Sequence, residues 1–143
     1  MSLRSVLLID DNPDDNFIHA TWLKRAGAVA SSSDIIVKEN GLEAITFMEA
    51  WDTNRAALGD AFPPALILVD INMPVMNGFA FLERLEKLSG HRSLDSVVIL
   101  MLTSSLSPQD QQQAGESPLV RGYIAKPLNR AKIEAILAEH FPG

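Results

Sequence analysis

Asp10-Asp11, Asp70, Thr103 and Lys126 are the residues whose types and placement could do chemistry, because each closes a short run of hydrocarbon. The stretch "LILVDINMPVMNG", Leu66 to Gly78, shows the pattern most plainly: an almost purely apolar run ends in one carboxylate, followed by a proline-broken turn and a glycine. A buried strand has no structural use for a charge at its tip. If these run ends meet at one edge of a sheet, three carboxylates, a hydroxyl and an ammonium converge. Like charges ~4 Å apart at an effective dielectric of ~20 repel by on the order of 4 kcal/mol, so a counter-charge is needed. Lys126 supplies one positive charge, and a divalent cation would supply two. Carboxylates, a backbone carbonyl and retained waters form the ligand set that suits Mg²⁺. A carboxylate can act as a nucleophile and form an acyl phosphate. Mg²⁺, Lys126 and the Thr103 hydroxyl can each take one oxygen of the transferred group, so phosphoryl transfer is the chemistry this set suits. His19, His91 and His140 lie far apart in sequence and are expected as ordinary surface or helix residues rather than zinc ligands.

The elements that must position these groups alternate in type. "SVLLID", "IIVK", "ALILVD", "SVVILML" and "GYIAK" are short, continuous apolar runs, as expected of strands covered on both faces of a parallel sheet. Between them lie longer periodic segments. The first, from Asn12 to Ala26, carries Phe17, Ile18, Trp22 and Leu23 as its apolar face, with Asn12 as N-cap, Pro13 at the first helical position and Gly27 past the end. A second helix is expected over Leu42 to Ala57, a third over Phe79 to Leu88, a fourth from Ser107 with Pro108 next, and a fifth from Asn129 to about His140. The stretch from Asp52 to Pro64 reads as an elongated helix end plus a surface loop. The fourth helix is thinly apolar, with Ala114 its clearest apolar residue before Pro118, so its docking is worth little. Strands alternating with helices imply right-handed βαβ units, hence an α/β doubly wound fold, (βα)5, whose site lies outside the carboxyl ends of the strands.

Composition bounds the alternatives. The 143 residues suit one domain, 1–143, and 47% apolar content is enough for its core. With no cysteine, disulfides and thiolate metal sites are excluded. A formal charge of −6 argues against a nucleic-acid surface. The longest apolar runs are too short for a bilayer, and "MSLRSVLLIDD" has no signal-peptide pattern, so a soluble cytoplasmic protein is expected.

Four strings, in order and each at a strand end, resemble the receiver domain of two-component response regulators: the acidic pair in "LLIDDNP", "DINMPVMNG" from Asp70 to Gly78, "MLTSS" containing Thr103, and "YIAKPL" containing Lys126-Pro127. The resemblance covers essentially the whole chain. It implies a flavodoxin-like five-stranded sheet of order 2-1-3-4-5. Asp70 would be the phosphoacceptor, Asp11 a direct Mg²⁺ ligand, Asp10 a ligand through water, and the Asn72 carbonyl a further ligand. Lys126 would pair with the phosphoryl group, and its peptide bond to Pro127 would be cis. Thr103 would swing toward a phosphoryl oxygen, and Tyr123 would be the aromatic switch that turns inward. Pro74 and Gly78 would shape the loop after Asp70, with glycine tolerating unusual backbone angles. The implied partners are a histidine kinase or histidine phosphotransfer protein and a downstream protein. Homodimerisation through the face of the fourth helix, fifth strand and fifth helix is a further expectation. The chain stops at "HFPG", so the signal is expected to leave through a partner, through dimerisation or through use as a phosphate sink rather than through an attached output domain.

Ser104 departs from the small apolar residue or glycine usual after the threonine, and its hydroxyl could alter dephosphorylation. Rival readings fit less well. A phosphorylation-independent docking module would be marked by degenerate acidic residues or a missing lysine, and neither is seen. A haloacid-dehalogenase-type phosphatase needs a second Asp where Asn72 stands, so a turnover enzyme is not expected. A flavodoxin would place a phosphate against the acidic loop "DDNPDD".

Overall fold

A computed structural model describes residues 2–104 and 107–142. Five parallel strands form one sheet in the order β2-β1-β3-β4-β5: β1 Val6–Ile9, β2 Ile35–Lys38, β3 Leu66–Val69, β4 Val98–Thr103 and β5 Val120–Ala125. β1, β3 and β4 are buried along their whole length, which is why their sequences are continuous hydrocarbon. The edge strands β2 and β5 are only partly covered. The helices are α1 Pro13–Arg25, α2 Gly41–Glu49, α3 Trp51–Leu58, α4 Gly78–Leu88, α5 Pro108–Glu116 and α6 Arg130–His140.

Side chains alternate across the sheet with the period of two that a strand imposes. Leu7, Ile9, Ile67, Val69, Ile99 and Met101 face a core shared with Ala44, Ile45 and Met48 of α2, Phe81, Leu82 and Leu85 of α4, and Ala114 of α5. Val6, Leu8, Leu66, Leu68, Leu100 and Leu102 face the opposite core with Leu23 of α1 and Ile133 and Ile136 of α6. The doubly wound fold expected from the alternating segments is therefore present, with the expected strand order.

The segment expected as one helix from Leu42 to Ala57 is two. The chain leaves helical geometry at Ala50 (φ −79°, ψ 48°) and restarts at Trp51. Asn54 donates to the Phe47 carbonyl at 2.6 Å across the break. The turn lets Trp51 and Phe47 both pack edge-on against the buried ring of Phe62, at 4.9 and 5.5 Å. A 3₁₀ turn, Gly59–Ala61, and a cis Phe62–Pro63 peptide complete what was expected as a plain loop. Exposed ion pairs Arg84–Glu49 and Arg92–Asp52, both at 2.8 Å, tie this layer to α4 and the segment after it.

α1 begins as expected: Asn12 Oδ1 accepts from the N–H groups of Asp14 and Asp15, with Pro13 at the first position. Its inward face differs. Phe17 and Ile18 are exposed, 73% and 42%, and Trp22 is half-buried. The buried residues are Asn16, His19 and Leu23. α1 runs over the wall of the charged strand ends, so the residues it turns inward there are polar. Asn16 Nδ2 donates to the Asp10 carbonyl at 2.9 Å. α5 is as thinly anchored as its sequence indicates, with Ala114 its one buried residue.

Candidate functional site

Register brings the strand ends together. Val69 lies beside Ile9, and the Asp70 N–H donates to the Ile9 carbonyl at 2.9 Å, setting Asp70 next to Asp10. Thr103 pairs with Ala125, and the Lys126 N–H donates to the Thr103 carbonyl at 2.8 Å. Oxygens from Asp10, Asp11 and Asp70 lie within 4.8 Å of one another. Asp10, Asp70 and Thr103 are buried, while Asp11 and Asn72 are exposed.

Lys126 Nζ sits inside this group, 2.5 Å from Asp10 Oδ2, 3.1 Å from Asp15 Oδ2 and 3.3 Å from Asp70 Oδ2. Burial alone would lower the Lys126 pKa, but the surrounding carboxylates, Asp10 foremost, outweigh it and hold the ammonium above its ordinary value. Asp70 moves the other way from a typical paired carboxylate. Burial raises its pKa, the Lys126 charge pulls it back in part, the Asp10 charge raises it again, and the Asn72 backbone N–H bonds the carboxylate. Asp10 Oδ1 accepts from the Asn12 N–H at 3.0 Å. The Lys126 contact at Asp10 Oδ2 is an ion pair outside hydrogen-bond geometry, so this buried oxygen keeps a lone pair for another ligand. Clustered, all-oxygen, partly dehydrated donors fit a hard divalent cation such as Mg²⁺.

The loop after Asp70 is held by two close backbone approaches. The Gly78 N–H donates to the Ile71 carbonyl at 2.9 Å, and a Cβ at Gly78 would collide with the Asp70 carbonyl. Gly78 is thus needed for closeness, not for an unusual backbone angle. The residue with positive φ in this loop is Val75, at 76°. Met73 is buried and Met76 partly so, both packed on the core, as expected for loop packing.

The Lys126–Pro127 peptide is cis. Tyr123 is 42% exposed, with its hydroxyl 3.4 Å from Gln111 Oε1 on α5. Ser104 is exposed beside the site, and Ser105, the last residue of "MLTSS", lies outside the described residues.

Two residues at the site were missed in the sequence. Asp15 joins Lys126 from the first turn of α1; with Asn12 as N-cap it occupies the third helical position, whose side chain reaches back over the helix start, and that spacing was the available signal. His19 is 1% exposed, its Nδ1 has no hydrogen-bond partner, and burial followed by the Lys126 charge lowers its pKa. No periodicity distinguishes it from the exposed Ile18 beside it.

The response regulator receiver domain family matches residues 6–138, and the chain belongs to that family. It is 32% identical over 124 residues to the sensor histidine kinase CheAY of Helicobacter pylori, a match covering 87% of this chain and 13% of that protein. It is 27% identical over 142 residues to the hybrid signal transduction histidine kinase L of Dictyostelium discoideum, covering 96% of this chain and 7% of that protein. The chain thus spans a small part of these relatives. Among solved structures, a two-component response regulator from Cytophaga hutchinsonii superposes with a TM-score of 0.77 at 28% identity, covering 97% of both chains. The chemotaxis protein CheY4 of Vibrio cholerae superposes at 0.69 with 26% identity, covering 94% of this chain and 95% of that one.

Proposed function

We propose that the chain is a phosphorylation-driven signalling switch in which Asp70 accepts a phosphoryl group from a histidine of a kinase or phosphotransfer protein. The observation that carries this reading is the buried Asp70 carboxylate held between the Asp10-Asp11 pair and Lys126. In the transfer, an Asp70 carboxylate oxygen forms the new P–O bond as the donor's N–P bond breaks, and the donor imidazole takes up a proton. Asp10, Asp11, Asp70 and the Asn72 carbonyl would hold Mg²⁺, which when bound supplies charge neutralisation for the phosphoryl oxygens. Lys126 pairs with one phosphoryl oxygen and Thr103 donates its hydroxyl to another.

The modification adds about −1.5 to −2 charge at a site that already crowds carboxylates. Drawing Thr103 and Lys126 inward biases the face of α5, β5 and α6, the fourth-helix/fifth-strand/fifth-helix face of the sequence reading. Tyr123 turning inward from Gln111 is part of that rearrangement, and a partner protein or a second copy reads the face. The role is that of a cytoplasmic phosphoacceptor rather than a turnover enzyme. No helix among the described residues is long and apolar enough to cross a membrane.

The test is intact-protein mass after incubation with acetyl phosphate and Mg²⁺. Wild type gains one phosphate and Asp70→Asn gains none. A wild type that gains nothing under conditions that load an established receiver overturns the reading.

A further inference from the structure

We propose that Asp15 is a positioning residue that restrains Lys126 and sets how readily the ammonium is released to an incoming phosphoryl group. The inference rests on Asp70 being the phosphoacceptor. An ammonium has three N–H donors. Three carboxylates, Asp10, Asp15 and Asp70, already surround the one on Lys126 at 2.5, 3.1 and 3.3 Å. Lys126 donates to Asp15 and Asp70 and is ion-paired with Asp10, so drawing its ammonium toward a phosphoryl oxygen loosens one of these contacts.

The three are not equally free to let go. Asp70 is the group being modified. Asp10 has a side chain only 4% exposed and is fixed on its other oxygen by the Asn12 N–H. Asp15 has a side chain 33% exposed, so water can replace Lys126 as its partner. It also stands on the first turn of α1, where the helix N-terminus stabilises a carboxylate without the lysine. Asp15 is therefore the contact that yields, and its strength enters the barrier to phosphorylation as a ground-state restraint.

Asp14 provides the control. It lies in the same helical turn, carries the same charge, is exposed, and is not among the carboxylates at Lys126. A general loss of repulsion toward an anionic donor would follow removal of either charge, whereas release of Lys126 follows only removal of Asp15.

The experiment measures the rate of phosphate mass gain from acetyl phosphate with Mg²⁺ for wild type, Asp15→Asn, Asp15→Glu and Asp14→Asn, with folding of each verified by urea midpoint. A partly exposed ion pair contributes up to ~1 kcal/mol, so Asp15→Asn is expected to react about two- to fivefold faster. Asp15→Glu returns toward the wild-type rate, and Asp14→Asn changes it by less than half as much. An unchanged or slower Asp15→Asn, or an equal acceleration in Asp14→Asn, overturns the proposal. If Asp15→Asn folds poorly, Asp15→Ala is read by the same criteria. Wild type failing to gain phosphate would instead sink the phosphoacceptor reading, so the two failures are distinguishable.

Discussion

The backbone N–H of Gly41, the first residue of α2, donates to the carbonyl of Met76 at 3.0 Å, joining the loop after Asp70 to a helix on the neighbouring strand connection. A Cβ at Gly41 would collide with that same carbonyl, as a Cβ at Gly78 would with the carbonyl of Asp70. Both obstacles are backbone atoms, which cannot rotate away. Gly41→Ala and Gly78→Ala are each expected to lower stability by about 1–3 kcal/mol, the range for forced overpacking. Urea denaturation reads this directly; an unchanged midpoint for both would contradict the close approach.

Val75 has φ of 76° and is 74% exposed. A β-branched residue in this region is strained, at a cost of order 1–3 kcal/mol, and its exposed side chain recovers little by packing. Val75→Gly or Val75→Asn is expected to raise stability by about 1 kcal/mol, part of the relief being offset in glycine by unfolded-state entropy. A lower urea midpoint for both variants would show that the valine is not strained there.

Asp70 carries a stability cost with a definite pH window. Its pKa in the folded chain is raised, chiefly by burial, above the ordinary 3.8. The charged form is thus disfavoured by folding at neutral pH; the penalty shrinks as pH falls through the folded value and vanishes below 3.8. Without divalent cation, Asp70→Asn is expected to melt higher than wild type at pH 7, with the gap closing toward pH 3.8. Equal melting temperatures at pH 7 would mean that Lys126 fully compensates the burial.

His19 contributes an acid-side loss. Its folded pKa lies below the ordinary 6.5, first through burial and then through the Lys126 charge, with Asp15 and Asp10 opposing. Above 6.5 the imidazole is neutral in both states and stability is unaffected; below it the unfolded chain takes up the proton first, and stability falls until the folded pKa is reached. Denaturation midpoints of wild type and His19→Gln between pH 7 and 5 check this, the variant showing the shallower decline. Parallel curves would remove His19 from the acid sensitivity.

Much of this was legible because strand burial writes itself as uninterrupted hydrocarbon. β1, β3 and β4 are buried on both faces, so the polar residues that end them stood out against their surroundings; the strand order came from the resemblance to the receiver family rather than from the alternation of strands and helices. α1 was misread on its inner face because periodicity scores apolarity, whereas that face lines a charged site and buries Asn16 and His19 while Phe17 stands in solvent. The split at Ala50 was hidden because Trp51 continues the apolar spacing of α2 even though it turns to reach Phe62. Asp15 was hidden among the carboxylates of "DDNPDD", where only the cap geometry at Asn12 distinguishes it from Asp14.

One irregularity on the far side of the sheet bears on how this site tolerates change. Ile99 pairs with Val120 but Leu100 pairs with Gly122, so Arg121 is an extra residue in β5 where the strand begins. Beyond it the register runs unbroken to Thr103 opposite Ala125. A strand without such slack would transmit any change of length in the preceding connection as a one-residue slide, turning every following side chain to the wrong face. Here the extra residue sits at the amino end, away from the site. The irregularity is confined to the start of β5, and the ammonium of Lys126 hangs from the stretch beyond it whose pairing with β4 is regular.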